Sequence, residues 1–117
     1  MWRTTLDDKG RVRLPADFRG GHARLFITNE ILPGGERRLM LFVPHEWGNF
    51  LARLRERRSI IRGAPLKEIF YVGNAHELVI DPQGRVSIPP RLLEFAGLSQ
   101  DVAFAIKSDH LELWAGE

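Results

Sequence analysis

Residues 6–15 read LDDKGRVRLP, and residues 80–89 repeat the pattern as IDPQGRVSIP. The two stretches stay in register at a constant offset of 74 positions, from Asp7 to Asp81 and from Arg11 to Arg85. Two matches of this kind in one small chain indicate a duplicated unit. An internal repeat is the first feature to consider when the fold class is predicted, because the fold is built from the repeated unit. We therefore expect two similar halves.

Each stretch predicts a tight hairpin turn between two short strands. Glycine adopts a positive φ without steric cost, and aspartate can hydrogen-bond the backbone of its own turn. Side chains alternate along a strand, so Arg11 and Arg13 should point away from Val12 and Leu14, toward solvent or a partner. The equivalent pair in the second repeat is Arg85 and Ser87.

The arginine after each glycine is the feature that turn geometry leaves unexplained. A single polar hairpin with a solvated arginine would need no function. Turn formation accounts for the aspartate and the glycine in both copies, but it does not require Arg11 to recur as Arg85. The recurrence favours a functional role for this position.

The paired Asp-x-x-Gly-Arg hairpins resemble those of the MraZ family, bacterial transcriptional regulators with two AbrB-like (SpoVT-AbrB) halves. In both copies the hairpin leads into an apolar-Pro step and a short helix signal. The resemblance covers essentially the whole chain. It includes LFVPHEW at 41–47, IPP at 88–90, FAGL at 95–98 and LELW at 111–114.

This resemblance implies a mainly β protein with short helices, of the α+β class, built as a duplicated swapped-hairpin β-barrel with two pseudo-symmetric halves. It implies a ring-like homo-oligomer that binds short, direct G-rich DNA repeats upstream of a cell-division and cell-wall gene cluster, as a repressor. It also implies that the Asp-x-x-x-Arg element contacts DNA, which here means Asp7 with Arg11 and Asp81 with Arg85.

Arg11 and Arg13 are the leading candidates for contact with DNA. A guanidinium matches the paired acceptors on a guanine edge, and a two-stranded ribbon fits the major groove. Contact between Arg11 and phosphate alone is the alternative. We expect Lys9 to contact phosphate, because its ammonium is a flexible point charge.

The other candidate residues have weaker or indirect roles. Direct contact between DNA and Asp7 or Asp81 would be repulsive, so we expect these carboxylates to cap the turn and hold the arginine. Arg85 is a weaker candidate than Arg11, because its neighbour is Ser87 and Pro82 stiffens its turn. If only one half faces DNA, we expect the first, with the second chiefly building the oligomer.

Domain organisation follows from the repeat. We expect a first AbrB-like half at 1–48, a helical connector at 49–75 and a second AbrB-like half at 76–117. The chain has 117 residues, so each half is too small for a stable core of its own and the halves should share one. The connector carries an apolar helical stripe with five arginines in residues 53–62. Those arginines form either a solvated face or a further DNA or subunit contact.

Charge distribution supports a nucleic-acid partner better than total charge does. The net charge is only +2, but residues 1–24 carry +3 and residues 53–62 carry +4. A clustered basic surface matters more for DNA binding than a high total.

Catalysis, cofactors and membranes find little support. The four histidines share no metal-ligand spacing and there is no cysteine, so we expect no metal, no cofactor, no small-molecule substrate and no enzyme activity. No apolar run approaches a membrane span and no signal-peptide pattern is present. A cytoplasmic protein is therefore expected, and the resemblance to DNA-binding regulators implies association with the nucleoid.

Two alternatives remain open from the sequence. One is an AbrB-like antitoxin, in which a similar hairpin binds DNA, although that class has one hairpin unit where this chain has two. The other is an assembly protein whose hairpins contact other subunits and no DNA.

Overall fold

The computed structural model describes residues 2–57 and 64–116. These residues form eight strands and four helices. The strands are β1 (Trp2–Thr5), β2 (Arg11–Arg13), β3 (Arg24–Ile31), β4 (Arg37–Phe42), β5 (His76–Val79), β6 (Arg85–Ser87), β7 (Asp101–Ile106) and β8 (Leu111–Ala115). The helices are α1 (Ala16–Arg19), α2 (Pro44–Arg57), α3 (Ala64–Gly73) and α4 (Pro90–Ala96).

The strands form two antiparallel sheets. Six of them make one large sheet in the order β1-β7-β8-β4-β3-β5, while β2 and β6 pair as a separate two-stranded ribbon. The expected mixture of strands and short helices is confirmed. The expected barrel is not formed, because the large sheet stays open with β1 and β5 at opposite edges. After each edge strand the chain leaves the sheet to build the ribbon, which packs on the sheet face.

Strands from the two halves pair with each other in both sheets. In the large sheet β1 pairs with β7, β5 with β3, and β8 with β4. The ribbon also takes one strand from each repeat. Separating the halves would therefore break backbone ladders, which explains how repeats too small to fold alone become ordered together.

The main core lies between one face of the large sheet and the ribbon with α4. Alternate ribbon residues point into it, and fully burying one aliphatic side chain contributes about 1.5–3 kcal/mol. The Val-x-apolar spacing of each repeat therefore decides which ribbon face is inside. The core residues include Val12, Leu14, Leu25, Ile27, Leu39, Leu41, Val86, Ile88, Leu92, Leu111 and Leu113.

A second, aromatic cluster covers the opposite face of the large sheet. Helix α2 packs Trp47 against Phe26 of β3, with ring centroids 5.6 Å apart and nearly parallel planes. Phe42 of β4 lies against Phe50 of α2 at 4.8 Å between centroids. The ribbon and α2 therefore lie on opposite sides of the sheet.

The ends of the helices follow local sequence signals. Helix α2 begins at Pro44, where the missing N–H has no intrahelical partner to lose. Glu46 lies in the first turn and Arg55 and Arg57 lie in the last, which suits the helix dipole. The rest of the predicted arginine-bearing stripe, residues 58–62 with Arg58 and Arg62, lies outside the described residues.

The two short helices of the repeats form where they are predicted. Helix α1 follows Pro15 and ends before Gly20, and α4 follows Pro89 and ends before Gly97. Within residues 2–57 and 64–116, no helix has both the length and the apolar character that crossing a membrane requires.

Candidate nucleic-acid interface

The first repeat folds as a compact turn around the carboxylate of Asp7. Its Oδ1 accepts hydrogen bonds from the backbone N–H groups of Lys9 at 2.9 Å and Arg11 at 2.8 Å. Its Oδ2 accepts one from Nε of Arg11 at 2.7 Å. The N–H of Gly10 donates to the Asp7 carbonyl at 3.1 Å, and its φ of +75° suits a residue without Cβ. The inner nitrogen of the guanidinium is thus fixed by a charged hydrogen bond.

The second repeat builds the same turn around Asp81. Its Oδ1 accepts from the N–H groups of Gln83 at 2.9 Å and Arg85 at 2.8 Å, and its Oδ2 accepts from Nε of Arg85 at 2.8 Å. Gly84 has a φ of +78°. The duplicated sequence has therefore produced a duplicated arginine geometry, and the side chains of Arg11 and Arg85 are 28 % and 26 % exposed.

The turn hydrogen bonds lower the pKa of both carboxyl groups. For Asp7 the main cause is the backbone hydrogen bond from Arg11. Partial desolvation opposes it, and the Arg11 side chain lowers the pKa further. The causes are the same for Asp81 and Arg85. Both carboxylates are ionised at neutral pH, and each holds an arginine in place through the charged form.

The ribbon brings arginines from both repeats onto one face. Its pairs are, in order, Arg11–Ser87, Val12–Val86 and Arg13–Arg85. The central valines are buried in the core, so alternation places the residues before and after them on the outer face. This face carries three guanidinium groups and one hydroxyl.

Sequence spacing predicts the turns but not the pairing of their strands. Each repeat suggests a hairpin whose two strands pair with each other. Instead β1 pairs with β7, and β2 pairs with β6 from the other repeat. The turn closes locally, because its hydrogen bonds span five residues, whereas ladder partners are selected by the shared core. Arg13 and Arg85, which are far apart in sequence, therefore face each other.

The facing arginines make the ribbon a surface that attracts anions. Like charges directly opposite each other across a ladder are destabilising. The carboxylate of Asp81 offsets part of the charge of Arg85, and Arg13 is exposed with no ion pair to any carboxylate of the described residues. An anion above the ribbon would relieve this repulsion.

Sequence reasoning did not single out Arg19, which lies in contact with the second turn. Its Nε donates to the carbonyl of Leu14 at 3.2 Å, and its guanidinium covers Gly84. The repeat could have identified it, because the 74-residue offset aligns Arg19 with Leu93. A charged residue in one repeat thus stands where the other repeat has an apolar one.

The arginines of α2 do not join this surface. Arg53 pairs with Asp109 at 2.8 Å and Arg55 pairs with Glu68 at 3.3 Å. Because α2 packs on the opposite face of the large sheet, these two arginines lie across the sheet from the ribbon.

Comparison with known proteins gives consistent matches. A family model described as "MraZ protein, putative antitoxin-like" matches residues 71–117. A curated relative from Thermoanaerobacter pseudethanolicus, named transcriptional regulator MraZ, is 35 % identical over 117 residues, which are 100 % of this chain and 80 % of the relative. Relatives with the same name from Acetivibrio thermocellus and Salinispora tropica are 34 % and 36 % identical. They cover 97 % and 93 % of this chain and 77 % and 75 % of their own lengths.

Proposed function

The chain belongs to the MraZ family, and from that premise we propose that it is a DNA-binding transcriptional regulator, acting as a repressor, with the ribbon as its contact surface. The observation that carries the proposal is the outer ribbon face, where Arg11, Arg13 and Arg85 lie side by side above two buried valines. A two-stranded ribbon has the width that the major groove admits.

Arg11 and Arg85 are the proposed base-contacting residues. Each has its inner nitrogen tied to an aspartate, which leaves the outer edge of the guanidinium to match the O6 and N7 acceptors of guanine. Restricting the side chain before binding reduces the entropy lost on contact. In this proposal Asp7 and Asp81 position the arginines and do not themselves contact DNA favourably.

Arg13 and Lys9 are the proposed phosphate contacts. Both are exposed, and Lys9 stands at the tip of the first turn. Contacts with phosphate position a protein on the duplex, whereas contacts with base edges supply specificity. Because Arg85 of the second repeat lies on the same ribbon face, both repeats serve one stretch of DNA in this proposal, instead of one repeat binding DNA and the other only building the assembly.

Multivalency would raise the affinity of so small a surface. We propose a homo-oligomeric ring of chains with halves at 1–48 and 76–117 around the connector 49–75. The interleaving of β1, β2 and β5 with strands of the other repeat supports a swapped-hairpin duplication. Repeated ribbons would bind direct G-rich repeats through effective concentration. We place those repeats upstream of a cell-division and cell-wall gene cluster, in a cytoplasmic, nucleoid-associated protein that is not an enzyme.

Arg11→Ala tests the proposal in a mobility-shift titration on a duplex with repeated G-rich boxes. A good bidentate contact discriminates by about 1–3 kcal/mol, so we expect binding to weaken about 5- to 150-fold for each engaged ribbon. Arg57→Ala is the control, because Arg57 is an exposed arginine on α2, across the sheet from the ribbon. Equal binding by both variants would remove Arg11 from the interface.

The salt dependence of the wild-type protein separates DNA binding from pure assembly. Neutralised phosphates release counterions, so affinity should fall steeply as salt rises. An assembly protein whose hairpins contact only other subunits would show no specific shift and no such slope.

A further inference from the structure

The second turn is covered by a cation from the first repeat. Gly84 is buried, and a Cβ added to it would lie 2.7 Å from both Cζ and Nε of Arg19. The guanidinium thus occupies the space that a side chain at position 84 would fill. It is held there by its Nε, which donates to the Leu14 carbonyl at 3.2 Å.

The first turn has a different cover at the equivalent position. A Cβ added to Gly10 would lie 3.2 Å from Cδ1 of Leu93. Leu93 aligns with Arg19 at the 74-residue offset, and Gly10 aligns with Gly84. The two contacts are therefore related by the duplication, and only the second turn has a charged cover.

This exchange places a cation beside the repeat that has fewer cations of its own. Pro82 and Gln83 replace Asp8 and Lys9 at the turn tip, and Ser87 replaces Arg13 on the ribbon, so residues 81–87 carry one net positive charge fewer than residues 7–13. From its own residues 81–87 the second turn carries Arg85 alone, already paired with Asp81. Arg13 opposite Arg85 and Arg19 against Gly84 add two cations from the first repeat.

The hydrogen bond that holds the Arg19 side chain differs from those that hold Arg11 and Arg85 in one respect. All three use Nε, but Arg19 donates to an uncharged carbonyl and forms no ion pair with the described carboxylates. Its outer nitrogens make no hydrogen bond to the described residues. A guanidinium held in this way keeps its full charge and its outer donors for an anion.

We propose that Arg19 contacts a DNA phosphate beside the second turn, as the counterpart of Lys9 beside the first. The inference rests on the proposed function, since it assigns one more contact to the same surface. A phosphate contact predicts a loss of affinity on every sequence, together with a shallower salt dependence.

The test compares wild type, Arg19→Leu and Arg57→Leu by fluorescence anisotropy over a range of salt, on a G-rich repeat duplex and on a scrambled one. Leucine is the residue that the first turn uses at the same place. We expect the negative slope of log K against log salt to become shallower by about 0.9 for each engaged ribbon in Arg19→Leu. Discrimination between the two duplexes should be unchanged. Arg57→Leu should keep the wild-type slope.

Arg19→Gln guards against a folding defect, because glutamine can still donate to the Leu14 carbonyl without carrying charge. Its salt dependence should become shallower by the same amount as that of Arg19→Leu, whereas Arg19→Lys should keep the wild-type slope. An unchanged slope in both neutral variants overturns the inference. So does a loss of discrimination at constant slope, which would make Arg19 a positioning residue. A wild-type protein that shows no slope refutes the proposed function itself, which is a distinct result.

Discussion

The turn at residues 7–11 and the turn at residues 81–85 share a backbone conformation and differ in the charged residues around it. Their carboxylate hydrogen bonds agree within 0.1 Å, and their glycines have φ of +75° and +78°. Around these fixed parts Asp8 becomes Pro82, Lys9 becomes Gln83, Arg13 becomes Ser87, and the cover changes from Leu93 to Arg19. The residues that shape the turn are thus the same in both copies, while the charged residues around it stand at different positions.

The comparison teaches that the ribbon is one surface and not two. Within residues 81–87 the second repeat has a single cation, Arg85, which is paired with Asp81. Pairing of Arg13 with Arg85 and the placement of Arg19 on Gly84 give the second turn cations that belong to the first repeat.

The largest expected effect concerns the core beneath the two turns. Leu14→Ala and Ile88→Ala should each destabilise the fold by about 2–5 kcal/mol, because both side chains are buried in the same cluster. Urea unfolding should show one cooperative transition in each variant. The exposed Val79 is the control, and Val79→Ala should change stability by less than about 0.5 kcal/mol. Two separate transitions would show that the halves fold independently.

The next effect concerns the paired arginines. Arg85→Ala should weaken binding to the G-rich duplex by about 1–3 kcal/mol, in the same range as Arg11→Ala, because both guanidiniums are held alike on one face. The measurement is a mobility-shift titration of both variants at one salt concentration. Full retention of binding by Arg85→Ala would restore the expectation that the first repeat alone faces DNA.

A smaller effect is expected at the turn glycines. Gly10→Ala and Gly84→Ala should each cost roughly 1–2 kcal/mol, since an L-residue is strained at these positive φ values. Gly84→Ala must also displace the guanidinium of Arg19. Gly48→Ala is the matched control in α2, where nothing crowds a Cβ, and it should stabilise by about 0.5–1 kcal/mol. Denaturant midpoints would report all three, and a neutral Gly10→Ala would contradict the assigned turn.

The smallest effect is the acid dependence of the turns. Because folding lowers the pKa of Asp7 and Asp81, their contribution is fully present above the ordinary aspartate pKa of about 3.9 and is lost as pH falls through the lowered value. Asp7→Asn should therefore be less stable than wild type at neutral pH, and the gap should close in acid. Thermal unfolding between about pH 6 and about pH 2 measures it. Asp81→Asn should behave alike, and a gap that widens in acid would reverse the assigned sign.

Local features were predictable because their partners are close in sequence. The Asp-x-x-Gly-Arg turns, the Pro-started helices α1 and α4 and the outward direction of Arg11 and Arg13 each depend on a few neighbouring residues. The open sheet was not predictable in this way, since the β1–β7 and β3–β5 ladders join residues about fifty to a hundred positions apart. The repeat identified Arg85 as a candidate, but spacing could not show that it lies opposite Arg13.

The sequence by itself determined the two turns, the arginines bound by their aspartates and the buried face of each short strand. These features depend on hydrogen bonds within five consecutive residues and on side-chain alternation, and neither needs a distant partner. The tertiary structure alone decided which strand each repeat pairs with, and thereby gathered Arg13, Arg85 and Arg19 around a single ribbon. The physical reason is that a three-residue strand has too little of its own surface to specify a partner, so burial of the valines and leucines in the shared core makes that choice.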